Sequence, residues 1–341
     1  MGFDLRDLAV PVVVAPMAGG ASTPELAAAG STAGGLGFVP AGYLSAEVFA
    51  DRLQSAQRLS SGPVGANLFV PQPSAATPAA ISAYAATLTG ESQRYGVSLG
   101  EPRFDDDNWA AKLDVLMDLR PPVASFTFGV PSADELRRLT VAGITTVGTV
   151  TTFAEARLAA ERGIAAMVVQ GPSAGGHRGT FDATAKPSEQ PLHELLAAIT
   201  ARFEIPVVAA GGLMNAGDVR QVLQSGAVAA QLGTAFLLAD EAGSSTVHRA
   251  ALRDPQFTET VVTPAFSGRY ARGLRNRFID DHQAEAPLGY PEVHYLTSPL
   301  RAAAARAGDP HAVNVWAGTG YRQAEAAPVA VIVDKLTGPG C

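Results

Sequence analysis

The sequence predicts an α/β protein built on a (β/α)8 barrel, a TIM barrel, with a second, smaller and mostly helical domain. Three observations predict it. Short runs rich in Val, Ala and Ile recur up to Leu232, each followed by glycine, proline, asparagine or threonine and then by a helical stretch. Runs that are apolar throughout, rather than alternating, read as strands buried on both faces. Eight of them alternate with helices, the pattern of a closed parallel sheet. After about residue 240 the alternation stops, and Arg, Asp and aromatic residues such as Phe266, Tyr270, Phe278, Tyr290 and Tyr295 become frequent. The barrel is therefore assigned to residues 1–239 and 313–341, and the smaller domain to 240–312. A doubly wound open sheet is the alternative, but Ala15-Pro16-Met17-Ala18-Gly19-Gly20 does not match its G-x-G-x-x-G phosphate turn.

The elements follow in order. Val12–Val14 leads into Ser22-Thr23-Pro24, an N-cap with proline in the first turn, and the helix stops at Gly34-Gly35. Leu36–Val39 is the second strand, and Ser45 caps the next helix. Val64–Val70 is the third, with a polar Asn67 that needs a hydrogen-bond partner if buried. A long insertion then carries one predicted helix over Pro78–Tyr95. The acids Asp105-Asp106-Asp107 are assigned to a helix N-terminus, where the dipole favours them, ahead of Trp109, Leu113 and Leu116. Val123–Phe128, Ile144–Val150, Ala165–Val169, Pro206–Gly212 and Ala227–Leu232 are strands four to eight. Helices are predicted from Ser132 to Leu139, Thr152 to Gly163, Pro191 to Phe203 and Asn215 to Ser225, and a last one around Val329, Ile332 and Leu336 closes the barrel.

Composition narrows the function. With 47% apolar and 17% charged residues the chain can bury a large core. A net charge of -7 and the lack of basic runs argue against nucleic acid and anionic membranes as partners. The single cysteine, Cys341, leaves no internal disulfide and no cysteine-based metal site. No signal-peptide pattern opens the chain, and no apolar stretch approaches the ~18 to 20 residues that cross a bilayer. A cytoplasmic protein is expected, and a homo-oligomer stays open.

The chemistry is placed where strand six ends in Gln170-Gly171-Pro172-Ser173-Ala174-Gly175-Gly176-His177-Arg178-Gly179. A histidine on a loop above a strand's C-terminal end is placed to act as a base near neutral pH; a merely hydrogen-bonded loop histidine is the plain alternative. Gly211-Gly212 and Gly233-Thr234 follow strands seven and eight, where such barrels frequently hold a phosphate through backbone N–H groups. Pro16-Met17, Asn67, Gln170 and Gln231 end other strands with neutral polar and soft apolar groups, which suit the two edges of a flavin. A metal would require clustered carboxylates and histidines, which these strand ends lack. Flavin mononucleotide (FMN) is therefore expected, with no metal. Arg178 is expected to be solvated.

Together, Ala15-Pro16-Met17, Asn67, the Gln170 to Gly179 stretch, Gly211-Gly212 and Gln231-Leu232-Gly233-Thr234 resemble the nitronate monooxygenase family, formerly called 2-nitropropane dioxygenases, over essentially the whole chain. The resemblance implies FMN held without covalent attachment by Ala15, Pro16, Met17, Asn67, Gln170, Gly175, Gly176, Gly211, Gly212, Gln231, Leu232, Gly233 and Thr234. It implies His177 as the catalytic histidine and points, more loosely, to Tyr290, His294 and Tyr295 as substrate residues. Ser173 departs from the glutamate of many members.

The implied reaction is oxidation of an alkyl nitronate, such as propionate 3-nitronate, with O2 to a carbonyl compound and nitrite. His177 would hold the anion when protonated, or take the α-proton of a neutral nitroalkane when neutral. A flavin-type enoyl-acyl-carrier-protein reductase using NAD(P)H, and a flavin-binding protein without turnover, are the alternatives. Oxygen-dependent nitrite release separates the first reading from both.

Overall fold

The computed structural model describes residues 2–338, so Cys341 lies outside the described residues. The strands β1 (Val12–Val14), β2 (Leu36–Pro40), β3 (Val64–Phe69), β4 (Val123–Thr127), β5 (Thr145–Val150) and β6 (Ala166–Gln170) are followed by the two-residue β7 (Gly176–His177), then by β8 (Val207–Ala210) and β9 (Ala229–Leu232). All except β7 form a closed barrel in the order β1-β2-β3-β4-β5-β6-β8-β9, parallel throughout, with β1 pairing back to β9.

The helices start where the sequence signals them. Thr23 Oγ1 accepts from Leu26 N–H ahead of Pro24–Thr32. Ser132 with Glu135, Thr152 with Glu155, and Asn215 with Asp218 form reciprocal capping boxes at Ala133–Val141, Phe153–Arg162 and Ala216–Gln224. Inside the barrel, Val13, Phe38, Val147, Val168 and Val208 pack with Leu5 from the 3-10 turn Leu5–Asp7. The opposite strand faces pack under the helices in the main core, which the C-terminal helix Val329–Thr337 joins through Val329, Ile332, Val333 and Leu336. Each such aliphatic side chain contributes about 1.5 to 3 kcal/mol when fully buried.

A second apolar cluster gathers Phe257, Phe266, Phe278, Leu296, Leu300 and Val315. Leu237 and Leu238, just after β9, join it, as do Ile81, Tyr84 and Leu88 from the insertion. The helices of this region are Thr246–Arg253, Arg277–His282 and Glu292–Arg306. They are accompanied by a hairpin that the sequence does not signal, β10 (Thr260–Thr263) with β11 (Ala271–Leu274).

Three local expectations are corrected. The insertion carries two helices, Pro78–Thr87 and Thr89–Tyr95, because Thr87 and Thr89 hydroxyls bond back to the carbonyls of Tyr84 and Ala86 at the break. His177 is not on a free loop, since β7 pairs antiparallel with β11. The acids do not cap the next helix: Trp109–Leu119 starts from Asn108, which is left-handed, with no acid in its first turn. Asp107 instead accepts from Tyr43 N–H at 3.0 Å and pairs with the buried Lys112 at 2.7 Å. Among the described residues no helix is long and apolar enough to cross a membrane.

Candidate active site

A cavity of about 370 Å3 opens at the C-terminal mouth of the barrel. One side of it is backbone, from Ala15–Met17, Gly175-Gly176, Gly211-Gly212 and Gln231–Thr234. Among the described residues, the N–H groups of Gly175, Gly211, Gly212, Gly233 and Thr234 donate to no backbone carbonyl. Gly211 and Gly212 adopt φ of +108° and +82°, angles open to glycine, and a Cβ on Gly212 would stand 2.7 Å from Ser173 Cβ. Thr234 Oγ1 accepts from Gly318 N–H at 2.9 Å, which leaves the threonine proton to donate. Unshared N–H groups beside a hydroxyl make a cradle for phosphate.

Neutral side chains extend this side. Asn67 is buried and donates from Nδ2 to Ser125 O, Ser125 Oγ and Thr127 Oγ1, which leaves Oδ1 as an acceptor. Gln170 donates to His177 O at 3.2 Å and accepts from Gly179 N–H at 2.9 Å. It clamps the histidine turn and still has one N–H and one lone pair to offer.

The other side is built from charged and aromatic side chains. His177 Nε2 lies 2.8 Å from Ser267 Oγ, which itself donates to Arg269 O at 3.2 Å. The serine oxygen therefore takes Nε2–H, and Nδ1 is the basic nitrogen. The ring meets Phe128 and Tyr290 edge-on at 5.8 Å and Trp316 at 5.7 Å. Arg269 sits over Phe128 at 3.9 Å and donates to Gln72 Oε1 and Thr180 O. Arg301 donates to Thr297 Oγ1, Asn314 Oδ1, Ser298 Oγ and His294 O. Neither guanidinium has a carboxylate among these partners.

Burial, reinforced by Arg269 and Arg301, pulls His177 down to about 3. Burial, then Arg301 and His177, pulls His294 down to about 2. Both imidazoles are neutral at pH 7. Burial lowers the two arginines to about 10, so they remain charged there. Cations withdrawn from water without a counter-charge favour an anionic guest.

A family-wide profile described as nitronate monooxygenase matches residues 4–338. The chain belongs to the nitronate monooxygenase family. A probable nitronate monooxygenase of Staphylococcus aureus (strain MSSA476) is 37% identical over 336 residues, covering 96% of this chain and 93% of that protein. The solved structure of nitroalkane oxidase from Streptomyces ansochromogenes is similar at a TM-score of 0.92 and 46% identity, over 97% of this chain and 95% of that one. FabK from Thermotoga maritima shares the fold at a TM-score of 0.74 and 23% identity, over 97% and 93% of the two chains. The family makes this chain an oxidoreductase of the monooxygenase type, acting on a small molecule.

Within this nitronate monooxygenase fold, every residue expected at the cofactor lines the cavity, together with His177 and His294. Tyr290 stands behind His177, its hydroxyl 3.4 Å from that of Tyr43. Tyr295 is placed elsewhere: its hydroxyl donates to Asp105 at 2.6 Å and Arg103 covers its ring. Arg178 is not solvated, being 1% exposed and donating to the carbonyls of Gly171 and Gln170. It pegs the glycine loop to the end of β6. Sequence reasoning missed Tyr43, Ser267, Arg301, Asn314 and Trp316, all of which line the cavity. Only the left-handed backbone of Tyr43, with φ of 68°, marks one of them, and that is invisible in sequence.

Proposed function

We propose that this chain is an FMN-dependent nitronate monooxygenase that oxidises alkyl nitronates, such as propionate 3-nitronate, with O2 to a carbonyl compound and nitrite. The observation that carries the reading is the placement of Arg301, without a carboxylate partner, in the lining of a cavity beside a neutral histidine, with Arg269 buried behind that lining and unshared backbone N–H groups on the cavity's other side.

The residues present fit FMN. The N–H groups of Gly175, Gly211, Gly212, Gly233 and Thr234 would hold its phosphate, while Asn67, Gln170 and Gln231 would meet the polar edge of the ring and Pro16 and Met17 its apolar side. When bound, FMN supplies the electron acceptor that is reoxidised by O2. Arg301 at the lining, with the field of the buried Arg269 behind it, favours the nitronate's negative charge in a desolvated site, where such attraction is strongest. His177 acts neutral: its Nδ1 accepts the α-proton from a nitroalkane that arrives un-ionised, and Ser267 fixes the ring through Nε2–H. Phe128, Tyr290 and Trp316 pack around the imidazole and shield it from water.

The test is an absorption spectrum of the purified protein with nitrite release and oxygen uptake on propionate 3-nitronate. A yellow protein with oxygen-dependent nitrite is the expected result. A yellow protein that makes no nitrite but oxidises NADH with an enoyl thioester would replace this reading with the reductase, and a protein that cannot take up FMN would remove the cofactor.

A further inference from the structure

His294 and Arg301 lie two helical turns apart on one face of Glu292–Arg306, and Arg301 Nη2 stands 3.3 Å from His294 Nδ1. A guanidinium carries donors only and does not lose its proton at neutral pH, so the nitrogen it faces presents a lone pair. The guanidinium cannot swing away easily. Nη2 also donates to His294 O at 3.0 Å and Ser298 Oγ at 2.8 Å, Nη1 to Asn314 Oδ1 at 3.1 Å, and Nε to Thr297 Oγ1 at 3.1 Å.

The imidazole plane is fixed as well. Tyr43 stacks on it with centroids 4.1 Å apart and planes 2° from parallel. Tyr43 is itself held by Asp107, which accepts its N–H and is paired with the buried Lys112. A neutral His294 with a bare Nδ1 carries its proton on Nε2. His294 lines the cavity, and among the described residues no protein group accepts from that nitrogen.

We propose that Arg301 is a positioning residue that locks His294 in its Nε2–H tautomer, making His294 a fixed hydrogen-bond donor to the anionic oxygens of the guest in the His177 cavity. The donor role rests on the anionic-substrate reading above; the lock does not.

The test starts with nitrogen NMR of the cofactor-loaded protein carrying 15N-histidine, the six histidines being sorted with His294→Gln. The expected result is an Nε2–H tautomer for His294. Its Nε2–H resonance shifts on titration with nitrate, a planar oxyanion with the O–N–O edge of a nitronate, and the Nδ1–H form appears in Arg301→Met. An Nδ1–H tautomer in the wild type, or a resonance that ignores nitrate, overturns the proposal.

Kinetics then separate the lock from plain support of the helix. Arg301→Met lowers kcat/KM for propionate 3-nitronate about 10-fold, the scale of one hydrogen bond to a charged group. In a His294→Gln background, where the amide donates from Nε2 without any lock, the same change costs only the arginine's own charge and lowers it about 3-fold or less. Equal losses in both backgrounds mean that the arginine only braces the helix or supplies charge, and overturn the lock. If the wild type turns over no nitronate, the substrate reading fails while the tautomer measurement still decides the lock.

Discussion

The two sides of the cavity are made of different material. The barrel side offers backbone N–H groups and neutral side chains on strand ends set by parallel pairing. The opposite side offers Ser267, His294, Arg301 and Trp316, brought in by the smaller cluster, with His177 joined to it through the pairing of β7 with β11. Backbone donors recognise what many ligands share, a phosphate, whereas side chains recognise what distinguishes one guest, here a compact anion. In the function proposed above the first side holds the cofactor and the second carries the reaction, and substitutions should separate the two.

The largest expected effect is on the side-chain face. His177→Asn should leave FMN bound and lower turnover of a nitroalkane offered un-ionised, such as nitroethane, at least ~100-fold, as steady-state nitrite release at matched flavin content will show. Near-normal turnover would break the division by removing His177 from the reaction. Arg178→Met tests the peg between the sides. It takes the guanidinium from the carbonyls of Gln170 and Gly171, the latter keeping only Ala174 N–H at 3.3 Å, and urea unfolding should show a loss of about 1.5 to 3 kcal/mol. A loss below about 0.5 kcal/mol would mean that the residue is solvated after all.

Acid should weaken the side-chain face. Burial holds His177 at about 3, His294 at about 2 and His248 at about 4 in the folded protein. Below about pH 6.5 the unfolded chain binds protons on these imidazoles that the folded chain refuses, so their contribution to stability, full above 6.5, falls as pH falls towards 4. Unfolding free energies from urea titrations at pH 7.5 and 5.5 should differ by about 1 to 4 kcal/mol, with kcat/KM for a nitronate showing no histidine break between them.

The backbone face is probed by Gly212→Val, which forces a branched residue into φ of +82° against Ser173. FMN affinity, read by flavin fluorescence on dilution, should fall at least ~10-fold. The smallest effect belongs to Tyr295→Phe. Its hydroxyl serves Asp105, away from the cavity, so kcat/KM should stay within about 2-fold.

The same contrast explains what was legible in the sequence. Barrel strands such as Val207–Ala210 are buried on both faces, so their composition alone reveals them, and the glycines at their ends are the residues that the mouth's close backbone approach requires. Thr260–Thr263 and Ala271–Leu274 carry no clean alternation, and the pairing of Ala271–Leu274 with Gly176–His177 spans nearly a hundred residues, which local patterns do not encode. Arg178 was expected in solvent because lone arginines usually are; its burial depends on carbonyls turned inward by the glycine loop. Arg301 reads as an ordinary helix residue until the fold places it against His294.

The most direct test of the anionic pocket compares oxygen-dependent nitrite release from ethyl nitronate with that from its neutral carbon acid, nitroethane, on the FMN-loaded enzyme at pH 7.5. The account predicts a kcat/KM at least ~10-fold higher for the nitronate, the scale of one charge-assisted contact. Equal values, or nitrite from neither compound, would contradict it.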